Sequence, residues 1–223
     1  MTTPKTQKDT FLTSEGDAYH ARNKAHGHAA DPVLAMLAAA GLRAQSVLEI
    51  GCGDGWRLAQ LRQLWNAECH GLDPSAEAVR DGAAKHAGVA LKQGTADSLP
   101  FDTARFDLVV FGFCLYLCDR ADLFRIAAEA DRVLRDGGYL VTFDFHAPAP
   151  YRNAYAHRPG LYSYKMQYER AFTWNPAYAV VAQQLTTQAG PNPAAAPDDR
   201  LAVTLLRKDL RSAYPDNPYR RQG

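Results

Sequence analysis

The chain has 223 residues, a length that suits one large α/β domain, or one domain with an elaborated end, and that can bury a substantial core. Lys and Arg total 25 against 24 Asp and Glu, so the formal net charge of +1 gives no overall pull toward nucleic acid or an anionic membrane. Charge interrupts every apolar stretch well before the roughly 20 residues of a membrane span, and the N-terminus lacks a signal peptide's hydrophobic run, so the expected location is cytoplasmic.

In chain order, the first eighteen or so residues are polar and are expected to be mobile until something docks on them. Helical spacing runs from 19 to 41, with Val33, Leu34, Leu37 and Ala38 in phase, Asp31-Pro32 as cap and first-turn proline, and Gly41 as the stop. Residues 46–50 are a short apolar run ending in glycines, as a strand buried on both faces should be. A helix follows over 56–65. The alternation continues with a strand at 69–72, a helix at 75–87, strands at 90–92 and 106–111, a helix at 120–134 closed by Asp136-Gly137-Gly138, and a strand at 139–145. Such alternation implies right-handed βαβ units and a mostly parallel sheet covered on both faces.

Beyond 145 the period is lost. Residues 146–177 hold four prolines and many tyrosines, and a segment this irregular inside a compact domain reads as functional. Two β-rich runs, 178–186 and 201–208, flank a Gly/Pro/Ala linker and read as an antiparallel pair at the sheet edge. Cys52, Cys69, Cys114 and Cys118 form no CxxC pair and read as reduced core thiols rather than metal ligands.

The chemistry is concentrated in three places. Gly51, Gly53 and Gly55 directly follow the first strand, where backbone without Cβ can approach a ligand at a helix N-terminus. The dinucleotide fingerprint G-x-G-x-x-G would need glycine where Trp56 stands, so the spacing argues against NAD. Asp73, in Gly71-Leu-Asp-Pro-Ser75, places a carboxylate at the end of the second strand, where it can accept from both hydroxyls of a ribose. Asp97 precedes Leu99-Pro-Phe101.

Taken together, Glu49-x-Gly-x-Gly-x-Gly55, Asp73, Asp97-Ser-Leu-Pro-Phe101 and Arg132-Val-Leu-Arg-Asp-Gly-Gly-Tyr-Leu-Val141 resemble, in order over 44–145, the motifs of class I S-adenosylmethionine-dependent methyltransferases. The resemblance implies a Rossmann-like, doubly wound α/β sheet of seven mostly parallel strands, helices on both faces, and a C-terminal antiparallel hairpin. It implies S-adenosylmethionine as cofactor and S-adenosylhomocysteine as product. Glu49, Gly51, Cys52, Gly53 and Gly55 would lie under the methionine half, Asp73 and Pro74 at the ribose, Ala96, Asp97 and Ser98 at the adenine, with Phe113 a further contact. The helix such proteins carry between strands five and six is not visible here; the aromatic segment stands in its place.

A fainter similarity joins Glu15-Gly-Asp-Ala-Tyr-His-Ala-Arg-Asn-Lys24, Pro148-Ala-Pro-Tyr151 and Tyr155-x-His157 to methylases associated with nonulosonic acid sugar biosynthesis. It directs attention to Tyr19, Arg22 and Asn23, with Arg22 as a fork for the cofactor's carboxylate. The implied layout is one domain: a helical cap over 1–43, a cofactor core over 44–145, a substrate segment over 146–177 and a hairpin over 178–209.

If the acceptor is a sugar hydroxyl, a base would help, and His146, at the end of the fifth strand, and His157 are the candidates. Tyr155, Tyr162, Tyr164 and Tyr168 are the candidate pocket walls, with Arg158 and Lys165 for an anionic group. The expectation is methyl transfer to an oxygen of a sugar, natural product or anionic metabolite, by a monomer or homodimer acting on a small molecule, without nucleic acid, membrane or metal. The alternatives are N-methylation of a small amine, a non-catalytic cofactor-binding subunit, and a dinucleotide oxidoreductase.

Overall fold

The computed structural model describes residues 6–24, 31–192, 195–217 and 219–220. One seven-stranded sheet organises the chain, in the order β3-β2-β1-β4-β5-β9-β8. Its strands are β1 (Ser46–Ile50), β2 (Glu68–Asp73), β3 (Val89–Gln93), β4 (Phe106–Gly112), β5 (Leu134–Phe145), β8 (Tyr178–Thr186) and β9 (Leu201–Lys208). The first five pair in parallel; β9 runs antiparallel to β5, and β8 antiparallel to β9. The expected seven-stranded, hairpin-ended sheet is what forms.

Side-chain alternation along each strand feeds two cores. On β4, Leu108 and Val110 join Val47, Leu58, Leu61 and Val33 on one face, while Phe106, Val109 and Phe111 join Leu48, Ile50, Ile126 and Val133 on the other. A strand with both neighbours paired and both faces covered must be apolar throughout, which is why the 106–111 run shows no polar alternation beyond Asp107. Helices α3 (Pro32–Ala39) and α4 (Trp56–Trp65) supply the first core; α6 (Leu123–Val133) supplies the second. Helix α5 (Ala76–Lys85) starts on Ser75, whose hydroxyl accepts from the Ala78 amide at 2.9 Å.

Three expectations change. The polar N-terminus is ordered: α1 (Gln7–Thr10), a π-turn over Phe11–Glu15 and α2 (Gly16–Asn23) run in succession, and the single helix expected over 19–41 is split, its middle, 25–30, lying outside the described residues. Asp136-Gly137-Gly138, expected to close a helix, lies inside β5 as an irregularity where pairing with β4 slips between Phe106 and Leu108. Residues 146–177 are not irregular throughout: β6 (Tyr151–Ala154) and β7 (Tyr162–Lys165) form a separate antiparallel hairpin, followed by α7 (Arg170–Thr173). Among the described residues, no helix is long and apolar enough to cross a membrane.

Candidate functional site

A cavity of about 550 Å³ opens at the carboxyl ends of β1, β2 and β4, bounded above by the N-terminal helical segment. This is the crevice where open α/β sheets place ligands. Its floor is the glycine loop. Gly51, Gly53 and Gly55 take φ of 73°, 56° and 76°, which residues with a Cβ rarely adopt. At Gly51 a Cβ would also lie 2.5 Å from that of Cys114, so glycine is what lets the Cys114 side chain, just past β4, pack on the loop.

Asp73 ends β2. One carboxylate oxygen accepts from the Gly53 amide (2.8 Å) and the other from the Ser75 amide (2.9 Å), which locks the acid between the glycine loop and the start of α5. Each oxygen keeps a lone pair for a further donor. Burial raises its pKa above the ordinary aspartate value, although the two amides pull the other way.

Glu49, on β1, is 2% exposed. One of its oxygens contacts Arg57 on α4, and Arg57 in turn holds Asp31, the N-cap of α3, at 2.9 Å. Burial pushes the Glu49 carboxyl up to about 7 against the opposing pull of Arg57. Its other oxygen, Oε2, is buried with no hydrogen-bond partner among the described residues. A buried acceptor left unpaired costs roughly 1–3 kcal/mol, and Glu49 is one of the residues that line the cavity.

At the far end Asp97, 9% exposed, receives Lys8 from α1 at 2.6 Å, and Lys8 also reaches Asp122 at 3.0 Å. Burial works to raise Asp97, but Lys8 holds it below the usual carboxylate range. The second Asp97 oxygen is not engaged by Lys8. Along the roof, Lys8, Phe11, Gly16, Tyr19, His20 and Asn23 face the cavity. The step of five from Phe11 to Gly16 is the π-turn: the extra residue keeps one helix face on the cavity across the change of register.

Of the expected cofactor residues, Tyr19, Glu49, Gly51, Cys52 and Gly53 line the cavity, as do Asp73, Pro74, Ala96, Asp97 and Phe113. Three do not. Gly55 turns the chain into α4, its amide bonded to the Cys52 carbonyl at 2.9 Å; Ser98 is exposed, its amide turned to Thr95. Arg22 gives its Nη2 to Glu15 at 2.5 Å and to the Tyr155 hydroxyl at 3.1 Å and does not line the cavity. The Cys52 and Cys114 thiols are pushed well up by burial, which makes them packing groups rather than nucleophiles.

The catalytic and substrate candidates need correction. His146 lies outside the cavity, its Nε2 3.4 Å from Glu169 and its amide bonded to the Arg200 carbonyl. His157 packs on Tyr155, ring centroids 5.3 Å apart. Tyr155 is buried against Glu15, and Arg158 bonds Ser14. Tyr164 lies under the Arg120 guanidinium at 4.4 Å; Tyr168 is buried, receives Arg120 and donates to the Tyr164 carbonyl. Lys165 pairs with Asp198 at 2.9 Å over the Phe145 ring. Tyr162, under Arg152 at 4.2 Å, is likewise outside the cavity wall. The tyrosine-rich hairpin packs against the outer side of the roof and the 115–122 segment, so its side chains are consumed in anchoring.

Arg57, Asp31 and Lys8 were missed. The signal for Arg57 was available: a glutamate inside an all-buried strand needs a cation, and position 57 begins the helix that packs there. Nothing in the sequence links Lys8 to Asp97. Among the described residues, no cluster of His, Cys, Asp and Glu could hold a metal.

The cavity wall carries seven carboxylates (Asp31, Glu49, Asp54, Asp73, Asp97, Asp119, Asp122) against Lys8, Lys24 and Arg57. Such a wall repels a pyrophosphate and suits a ligand with positive charge.

Residues 47–138 match the family described as "Methyltransferase domain". The chain is 34% identical over 110 residues to a fatty-acid O-methyltransferase of Mycolicibacterium smegmatis, covering 48% of this chain and 39% of that protein. It is also 34% identical over 105 residues to an uncharacterized methyltransferase of Synechocystis, covering 47% and 49%. The matches thus span less than half the length of these curated relatives. In fold, it resembles the 1,6-didemethyltoxoflavin-N1-methyltransferase of Burkholderia thailandensis, solved with 1,6-didemethyltoxoflavin and S-adenosylhomocysteine, at a TM-score of 0.67 and 20% identity over 91% of this chain and 87% of that one. Motif order, sheet order and family match coincide, and the chain carries over residues 47–138 a methyltransferase domain of the class I, Rossmann-like kind.

Proposed function

We propose that the protein transfers the methyl group of S-adenosylmethionine to a small, uncharged acceptor. The observation that carries the reading is the acidic cavity around the glycine loop, with Glu49 Oε2 buried and unpaired in its wall. A sulfonium with an ammonium at its end meets both demands; a dinucleotide meets neither. When bound, the cofactor supplies an electrophilic methyl on a cationic sulfur, which leaves with its electron pair as the acceptor's lone pair forms the new bond.

The chain's own residues bind, orient and exclude water. Asp73 would accept the ribose hydroxyls on its remaining lone pairs, Glu49 the ammonium, and Asp97, through the oxygen that Lys8 does not engage, the adenine amino group. The roof helix closes the site above Tyr19 and His20, where exclusion of water strengthens each of these contacts.

Two features shape the acceptor. The only imidazole in the described wall, His20, is held by Asp81 at 2.9 Å near the Asp73 end, and the expected bases His146 and His157 lie elsewhere. An acceptor that is nucleophilic without a base, such as a neutral nitrogen, suits this wall better than a sugar hydroxyl. The excess of carboxylates disfavours an anionic acceptor, and Arg158 and Lys165 are already paired. The small-amine reading is therefore favoured over the oxygen one.

The test is Asp73→Ala, with retention of fold checked by circular dichroism. Loss of two hydrogen bonds to a charged group predicts S-adenosylhomocysteine binding weaker by on the order of 100-fold in calorimetric titration. Unchanged affinity would place the ribose somewhere other than Asp73.

A further inference from the structure

Beyond the groups that fit the cofactor, the cavity has an apolar corner at the ends of β4 and β5. Phe113, Phe143, Cys114, Leu117 and Cys118 form it, and Tyr19 of the roof closes it. Phe113 is held at φ +64°, a conformation costing roughly 1–3 kcal/mol for a residue with a side chain. Its ring is fixed there by Phe143 at 5.4 Å, Phe145 at 5.3 Å and Tyr116 at 4.7 Å. Strain of this kind, retained in a cavity wall, marks a surface shaped for contact.

Tyr19 is the polar group in this corner. Its hydroxyl interacts with the hydroxyl of Tyr116, a residue 7% exposed that does not line the cavity and whose ring stands edge-on to Phe145 at 5.2 Å. Behind Tyr116, the buried carboxylate of Asp144 accepts from the amides of Tyr116 (3.3 Å) and Phe145 (2.8 Å), which fixes the backbone carrying the phenol. Two hydroxyls sharing one hydrogen bond leave one hydrogen for a third group. Tyr116 faces the interior and Tyr19 the cavity, so that hydrogen is available at Tyr19. Burial raises both phenols above their ordinary value. Tyr19 stays protonated through the physiological range; it is a donor, not a base.

The position of this donor is informative. Tyr19 lines the cavity together with Asp73, the glycine loop and Cys114. A cofactor with its ribose on Asp73 and its methionine half over Gly51–Gly53 would bring its sulfur to the gap between them. The family match, over residues 47–138, includes neither Tyr19 nor Phe143, and both line the cavity.

We propose that this corner is the acceptor subsite, and that Tyr19, held by Tyr116, anchors a flat, uncharged heteroaromatic compound by donating to a ring nitrogen or carbonyl beside the atom that receives the methyl. Phe113 and Phe143 supply the apolar faces against which the ring lies. Tyr19 touches the acceptor directly; Tyr116 is a positioning residue that acts through it. This rests on the donor-site reading above, and the experiment separates the two.

The full-length protein is first saturated with S-adenosylhomocysteine, and quinoline and naphthalene are then titrated as probes by ligand-observed NMR. Both are flat, apolar bicycles, and only quinoline has a ring nitrogen. The expected result is that Tyr19→Phe weakens quinoline by about three- to tenfold, the worth of one hydrogen bond, and leaves naphthalene affinity unchanged. Tyr116→Phe, which leaves the Tyr19 hydroxyl in place but unheld, weakens quinoline by a smaller factor and also spares naphthalene. The proposal is overturned if quinoline does not bind the loaded protein, if Tyr19→Phe leaves it unchanged, or if both probes weaken in parallel. If the wild-type protein does not bind S-adenosylhomocysteine, it is the donor-site reading that fails.

Discussion

Glu49 shows how a single residue can be structural and functional at once. Its backbone belongs to the central strand, one oxygen meets Arg57, and the other is left buried and unpaired. With the carboxyl pushed up to about 7, the folded protein retains a proton that the unfolded chain releases near pH 4.5. The free protein therefore loses this contribution to stability as pH rises through about 7, the sign for a raised carboxyl. Ligand binding has the opposite sign, because an incoming ammonium must displace that proton. S-adenosylhomocysteine affinity should rise by about tenfold per unit between about pH 5.5 and about pH 7 and then level off. Glu49→Gln should flatten the profile. A flat profile in the wild-type protein would separate Glu49 from the ammonium. Residues of this kind were legible because a motif fixes their spacing: Glu49, Gly51, Gly53, Asp73 and Asp97 all face the cavity. His146 and Lys165 were not, because a titratable side chain in an aperiodic stretch reads the same whether it meets a ligand or Glu169 and Asp198.

Among the elements, the N-terminal helical segment departs furthest from expectation. Its polar composition suggested a mobile tail, yet it is fastened at both ends. Lys8 reaches Asp97 and Asp122, and the Asp17 carboxylate accepts from the Ser75 hydroxyl (2.7 Å) and the Glu77 amide (3.0 Å), at the first turn of α5. An apolar count misses a helix held by ion pairs and caps, which is why composition misled. Gly16 was quoted as part of a motif without a physical reason, and the structure supplies one. A Cβ there would come within 3.1 Å of the Ser75 amide nitrogen and 2.7 Å of the Phe11 carbonyl. Gly16→Val should cost about 1–3 kcal/mol by overpacking, measured by urea unfolding. It should also lift α2 off the Asp73 corner, so that S-adenosylhomocysteine dissociates faster in stopped flow. An unchanged dissociation rate would mean that the roof does not retain the ligand.

At the scale of the whole molecule, the sheet divides the work. Strands β1 to β5 repeat a pattern of buried strand, turn and helix that periodicity reveals, so their parallel direction and the C-terminal hairpin were readable, whereas their spatial order was not. The acceptor side is assembled from Tyr19, Phe113 and Phe143, 124 residues apart at the extremes and joined only by the fold. No local spacing encodes such a meeting. The same division runs through the comparisons: the family match covers 47–138, and the curated relatives match over less than half of either chain. The identity of the ligand at the glycine loop is read by calorimetric titration of the wild-type protein with S-adenosylmethionine, S-adenosylhomocysteine and NAD. The acidic cavity and the unpaired Glu49 oxygen predict saturable one-to-one binding of the first two and none of NAD; tighter binding of NAD would contradict the account.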